Sequence, residues 1–181
     1  GYRGAPPAWA GGKNTLEPGA GLVVQLVPLD TQYHLTNYKP DFMLRQSALP
    51  GDDLWYLDPD IVVTARWSVF RDWCAAGIAL CEDVNSPLSF HHPRREGWRR
   101  HFAASGIRLA PRETQYANGG CIGLTRPNLP FLETWRNLQN AMAGAIGGLE
   151  QSKLNGGTSE LMRDPHFCFN ASDQDALNAA V

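Results

Sequence analysis

The chain has 181 residues, 43% of them hydrophobic and 19% charged, with a formal net charge of -2. A chain of this length and make-up can bury a core of its own and is neither fibrous nor disordered in composition. It has no basic excess for nucleic acid or an anionic membrane surface, and no apolar run approaches the roughly 20 residues of a membrane helix.

Residues 1–20, GYRGAPPAWAGGKNTLEPGA, are rich in Gly, Pro and Ala without an apolar period and are expected as an irregular lead-in or linker. Order is expected from GLVVQLVPL, with a strand over 22–27. NYKPDFMLRQSALPG predicts a helix over 39–49, with Pro40 in its first turn, Phe42, Met43 and Leu49 on its apolar face, and Pro-Gly as the stop. LWYLDPDIVV, residues 54–63, then reads as a buried strand, two acids, and a second apolar run at 61–63.

WSVFRDWCAAG is expected as a short helix closed by Gly77, and IALCEDV as another buried strand. PRREGWRRHFAASG reads as a helix with Trp98 and Phe102 on one face and Gly106 as its terminator. GCIGLT, after Asn118-Gly119-Gly120, is a further strand. PNLPFLETWRNLQNAM is an amphipathic helix with Phe131 or Leu132, Trp135, Leu138 and Met142 at helical spacing. GAIGGLEQSKLNGG reads as a glycine-rich loop, and FNASDQDALNAAV opens a last helix.

Strands alternating with helices predict an α/β domain over residues 21–181, built on a mixed, largely parallel sheet flanked by helices, with the strand C-termini as the functional edge. Cys74, Cys81, Cys121 and Cys168 form no CxxC pair and lie in apolar segments, so they are expected as reduced core thiols of a cytoplasmic protein, or of one peripheral to the inner membrane face. The chain opens at glycine and stops just after a helix start, as a piece of a longer protein would.

Asp58 and Asp60 carry the main chemical signal. Asp58 precedes a proline, which favours extended backbone, and in an extended chain residues i and i+2 point to the same side. Two converging carboxylates repel unless a cation lies between them, and hard oxygen ligands suit Mg²⁺ or Mn²⁺ held together with substrate phosphates. A solvated Asp-Pro turn is the bland alternative.

LWYLDPDIVV resembles the aspartate-x-aspartate segment of nucleotide-sugar glycosyltransferases of the GT-A fold, in particular glycosyltransferase family 8. YANGGCIGL resembles that family's Asn-(Ala/Ser)-Gly strand, SDQDALNAA its Asp-Gln-x-x-Leu-Asn helix start, and NYKPDFMLRQ the helix carrying a donor-contacting basic residue. The resemblance spans about residues 36–178. It implies a GT-A (Rossmann-like) domain lacking its first strand and its C-terminal metal-ligand segment.

The same resemblance implies the chemistry of the site. Asp58 and Asp60 would hold Mn²⁺ or Mg²⁺ and, through it, the diphosphate of a UDP-linked sugar. Lys39 would touch the donor, with Arg45 as its competitor. Asn118, Gly119 and Gly120 would line the sugar pocket, and Asp173 and Gln174 would lie beneath the transferred sugar. The implied activity is transfer of a hexose to a glycan or lipid-linked acceptor, with retention of configuration. The family's third metal ligand, a histidine, would follow the last helix.

Each motif also has a plainer reading. Asn118-Gly119 is a strong hairpin-turn signal, Ser172 and Asp175 have the spacing of a helix capping box, and HHPRREGWRRH could be a solvated helix or an anion-facing surface. Glu82 and Asp83, at a strand end, could bind sugar hydroxyls. Rival functions are an inverting transferase, a sugar nucleotidyltransferase, and a non-catalytic sugar-binding domain that uses its six tryptophans as stacking platforms.

Overall fold

The computed structural model describes residues 1–152, 164 and 166–181. The chain divides into two compact units, residues 1–32 and 33–181. Within the first, Thr15–Gly19 (β1) and Leu22–Gln25 (β2) form an antiparallel hairpin with Gly19 opposite Leu22. The turn residues Ala20 and Gly21 both have positive φ, the backbone that a tight two-residue hairpin loop requires. Part of the expected irregular lead-in is therefore a strand. The pairing is broken between Leu16 and Gly19, where Pro18 has no N–H to give.

The second unit alternates helix and strand: α1 (Lys39–Gln46), β3 (Asp53–Leu57), α2 (Trp67–Ala75), β4 (Ala79–Glu82), α3 (Pro93–Ala104), β5 (Ala117–Thr125), α4 (Pro130–Ile146) and α5 (Ser172–Ala180). The α/β character expected from the sequence is observed. The largely parallel sheet is not: strand order is β3-β5-β4, and both pairings are antiparallel. β3 and β4 run the same way, but β5 fills the slot between them in the opposite sense. Hydrophobic period identifies a strand and carries nothing about its direction, and the long connection from β4 to β5 through α3 allows either.

The sheet is covered on both faces. Leu54, Tyr56, Leu80, Ile122 and Leu124 point into a core shared with Trp98 and Phe102 of α3, with Leu132, Trp135, Leu138, Met142 and Ile146 of α4, and with Ala176 and Leu177 of α5. The helical faces read for α3 and α4 are thus the buried ones. On the opposite face the Trp55 ring lies 5.2–6.0 Å from the rings of Trp67, Phe70 and Trp73 of α2. A Cβ on Gly123 would fall 2.5 Å from that indole, so glycine lets Trp55 lie across the central strand.

Three expectations change. α1 ends at Gln46, and Leu49 beyond it is exposed. Residues 61–63 are not a strand: Ile61, Val62 and Val63 are exposed, and Ile61 N–H donates to the Asp58 carbonyl at 3.0 Å, closing a turn around Pro59 and Asp60. Asn118-Gly119 is no hairpin turn, because both residues lie inside β5. Of the glycine-rich segment, the start belongs to α4 and residues 153–163 lie outside the described residues. No helix among the described residues is long and apolar enough to cross a membrane.

Candidate functional site at the sheet edge

Four stretches far apart in sequence meet where β3 ends and β5 begins. Lys39 opens α1, Asp58 follows β3, Asn118 to Gly120 open β5, and Asp173 and Gln174 lie in the first turn of α5. Lys39 is the hub. It is 6% exposed, and its Nζ donates to the Gly119 carbonyl at 2.9 Å, lies 3.1 Å from Asp173 Oδ2 and 3.7 Å from Asp58 Oδ1, and sits 5.1 Å from the centre of the Tyr56 ring. A buried ammonium needs such partners. Arg45, its competitor on the same helix, instead reaches the Tyr38 hydroxyl in an exposed contact.

The compensation of Asp58 is therefore partly within the polypeptide. Its Oδ1 also accepts from the Tyr56 hydroxyl at 2.7 Å, a contact made possible because residues 56 and 58 share a face. Burial and that bond to a carboxylate push the Tyr56 phenol well above its ordinary pKa, so it stays a donor. Asp60 lies in the turn that Ile61 N–H closes on the Asp58 carbonyl, so the backbone from Asp58 to Asp60 is not the extended chain expected from the sequence. The turn carries Asp60 into solvent, and no hydrogen bond or ion pair among the described residues ties it down.

Gly120 explains itself by contact. A Cβ there would fall 2.6 Å from Asp58 Oδ2 and 2.9 Å from Asn118 Oδ1, so only glycine lets the Asp58 carboxylate lie against β5. Asn118 Oδ1 accepts from Gly120 N–H at 2.7 Å, and its amide nitrogen has no hydrogen-bond partner among the described residues.

Asp173 is the most buried acid of the cluster with a shifted proton affinity. Burial pushes its carboxyl above the usual range, and the Lys39 ammonium works against that shift. Gln174 is fixed at both ends: Oε1 accepts from Gly119 N–H at 3.0 Å and Nε2 donates to Asp83 Oδ2 at 2.7 Å.

α5 itself is pinned by residues whose roles the sequence hid. Asp175, fully buried, accepts from Arg94 Nη2 at 2.7 Å on both oxygens, from the Tyr116 hydroxyl at 2.7 Å, and from the backbone N–H of Asn170 and Ala171 at 2.6 and 2.8 Å. The last two bonds are the reach-back half of a capping box, although the N-cap is Ala171 and not Ser172. Asn178 clamps the first residue of β5, accepting from Ala117 N–H at 2.6 Å and donating to its carbonyl at 2.8 Å. Trp135 Nε1 donates to the Asp173 carbonyl at 3.0 Å.

The basic run of α3 is thus neither a solvated face nor an anion surface throughout. Arg94 serves Asp175, and buried Arg95 donates to the carbonyls of Leu88 and Thr114. His92 caps the helix by accepting from Arg94 N–H. Asp83 is occupied too, since Oδ1 accepts from the N–H groups of Asn85 and Ser86, which leaves it unsuited to hold a sugar.

Lys39 contributes one positive charge against the carboxylates of Asp58, Asp60 and Asp173. Among the described residues no group of three His, Cys, Asp or Glu side chains forms a metal cage. The donor set, one carboxylate held at the sheet edge and one in solvent nearby, is made of hard oxygens. It fits a Mg²⁺ or Mn²⁺ ion that takes one or two protein carboxylates and fills its other positions with water and phosphate. A cleft of about 210 Å³ lies elsewhere, around Asp53, Leu54 and Arg126, but Arg126 is spent there on the carbonyls of Ser47, Leu49 and Gly51.

Fold and site together define a mixed α/β unit with a lysine-centred acidic edge. No protein family, curated protein or solved structure matches the chain.

Proposed function

We propose that residues 33–181 form the donor-binding part of a metal-dependent glycosyltransferase of the GT-A type, which moves a hexose from a UDP-linked sugar to a glycan or lipid-linked acceptor. One observation carries this reading. The residues that the four family-like motifs single out, other than Asp60, lie within hydrogen-bonding or ion-pairing reach of one another although they come from four separate elements.

In this reading the Lys39 ammonium faces the donor diphosphate, and Asp58 and Asp60 hold the divalent ion. The ion would supply Lewis-acid stabilisation of the departing diphosphate. The amide nitrogen of Asn118 donates to a sugar hydroxyl, while Gly119 and Gly120 line the pocket by leaving room for the Lys39, Asp173 and Asp58 side chains that meet the donor. Asp173 and Gln174 lie under the sugar and orient it.

Gln174 is a neutral amide with both ends already bonded, and Asp173 is paired with Lys39, so neither is a free nucleophile. Retention then follows a front-face path. The anomeric carbon–oxygen bond to the diphosphate breaks, the acceptor hydroxyl oxygen bonds the same carbon from the same side, and its proton passes to the departing phosphate oxygen.

A second reading, a sugar-nucleotide-binding domain without turnover, draws on the exposed position of Asp60 and on the Lys39 charge already placed beside Asp58. Release of UDP from a panel of UDP-hexoses, measured with Mn²⁺ and again with excess EDTA, separates the two. Mn²⁺-dependent release that Asp58→Asn abolishes supports transfer. UDP binding without release in any acceptor mixture supports the binding domain, and nucleotide exchange with pyrophosphate would instead identify a nucleotidyltransferase.

A further inference from the structure

We infer that Asp83 is a positioning residue for the donor site: acting through Gln174, it fixes the backbone at Gly119 and with it where the Lys39 ammonium sits. The inference rests on the reading of Lys39 as a diphosphate-facing cation, and it gives a buried carboxylate that otherwise contacts no ligand a defined task.

The chain of contacts is continuous. Asp83 is 7% exposed, with Oδ1 fixed by the N–H groups of Asn85 and Ser86 at 3.0 Å each. Its Oδ2 accepts from Gln174 Nε2 at 2.7 Å, Gln174 Oε1 accepts from Gly119 N–H at 3.0 Å, and the Gly119 carbonyl accepts from Lys39 Nζ at 2.9 Å. Lys39 then reaches Asp173 and Asp58.

The polarity of this chain is dictated at its far end. An ionised carboxylate can only accept, so the Gln174 amide must turn its nitrogen to Asp83 and its oxygen to Gly119. Gly119 and Gly120 have no side chains to hold the strand opening and are the most permissive residues the backbone has. The bond from Gly119 N–H to Gln174 holds the peptide before the Gly119 Cα, while the peptide after it, whose carbonyl is one of the anchors of the Lys39 ammonium, is held by the Gly120 N–H bond to Asn118 Oδ1. The bulge between Leu80 and Glu82 aims Asp83 at α5, with Asp83 N–H donating to the Tyr116 carbonyl at 2.7 Å.

The geometry offers a test by exchange of partners. In Asp83→Asn the retained oxygen still serves Asn85 and Ser86, but an amide nitrogen now faces Gln174. Gln174 must flip, and its nitrogen then meets Gly119 N–H, donor against donor. In Gln174→Glu two carboxyls face each other. In the double variant Asp83→Asn/Gln174→Glu the asparagine donates and the glutamate accepts from both sides, so every bond has its proper polarity again.

The experiment uses the whole 181-residue chain, with hydrogen exchange of the Gly119 amide followed by NMR and UDP affinity measured by calorimetry with Mn²⁺. Each single variant is expected to speed Gly119 exchange and weaken UDP binding by about tenfold, the size of one lost buried hydrogen bond. The double variant is expected to recover both. A double variant no better than either single, or Gly119 protection unchanged in Asp83→Asn, overturns the inference. If the wild-type chain binds no UDP, the proposed function falls by itself. In that case loss and recovery of Gly119 protection still decide whether Asp83 governs this peptide.

Discussion

Replacing Lys39 by methionine keeps most of the side-chain volume and removes the charge at the centre of the site. It strands the Asp173 carboxylate, 14% exposed and 3.1 Å from the ammonium, together with the Gly119 carbonyl. Breaking a buried pair by removing one partner costs about 3–5 kcal/mol, less where the stranded group can take up a proton. Asp58, 36% exposed on its side chain, adds little and is left out of the sum.

The sign of the pH dependence follows from Asp173. Burial already holds its carboxyl above the ordinary value in the folded chain, so between the unfolded and folded pKa the native state keeps a proton that the unfolded state has released. Stability from this group is full below the unfolded value and is lost as pH rises through the folded one. Removing Lys39 removes the opposing influence, raises the folded value further and widens that window.

Urea denaturation of Lys39→Met at pH 5 and pH 8, each against wild type, should therefore show the larger loss at pH 8, about 3 kcal/mol. The loss at pH 5 should be clearly smaller. A loss under about 1 kcal/mol that is the same at both pH values would refute the reasoning, because Asp173 would then not depend on Lys39.

Gly120→Ala should cost about 1–3 kcal/mol by forcing the Asp58 carboxylate off β5, and Asp58 should lose its alignment, seen as a lowered thermal midpoint together with lost UDP binding. Asp175→Ala leaves Arg94 and two backbone N–H groups without an acceptor and should lower stability by about 3–5 kcal/mol in urea, with α5 the first helix to lose hydrogen-exchange protection. Burial pushes the Cys121 thiol up to about 12 and the Cys74 thiol up to about 11, with Cys81 adding to the shift at Cys121. Iodoacetamide at pH 8 should therefore label neither in the folded chain and all four cysteines in urea, and rapid labelling of Cys121 in the folded chain would contradict its burial.

Much of the candidate site was legible because its residues are unusual for where they stand. A carboxylate after a buried run, adjacent glycines opening a strand, and a lysine in the first turn of a helix all conflict with local preference, and such conflicts collect at sites. The amphipathic faces of α3 and α4 were legible from spacing alone. Strand direction was not, because the period of two is the same for either sense.

The turn at Asp58-Pro59-Asp60-Ile61 was read as extended chain. The apolar run after it suggested continuation of the strand, yet Val62 is 81% exposed. The Arg94–Asp175 pair joins residues 81 positions apart, and no local pattern reports a contact at that distance. Asp83 was visible as an acid at a strand end. That its oxygens were already committed, one to an adjacent turn and the other to Gln174, depended on the bulge in β4.

The central claim is that the lysine-centred acidic edge binds a nucleotide diphosphate together with a divalent ion. Calorimetric titration of UDP into the chain, with Mn²⁺ and with EDTA, tests it most directly when run on wild type and on Asp60→Asn. Asp60 is exposed and has no ion-pair or hydrogen-bond partner among the described residues, so its substitution should leave the thermal midpoint of the metal-free chain unchanged. The account predicts UDP binding only with Mn²⁺ in wild type, and its loss in Asp60→Asn. Binding that is equal with EDTA, or absent under both conditions, would contradict it.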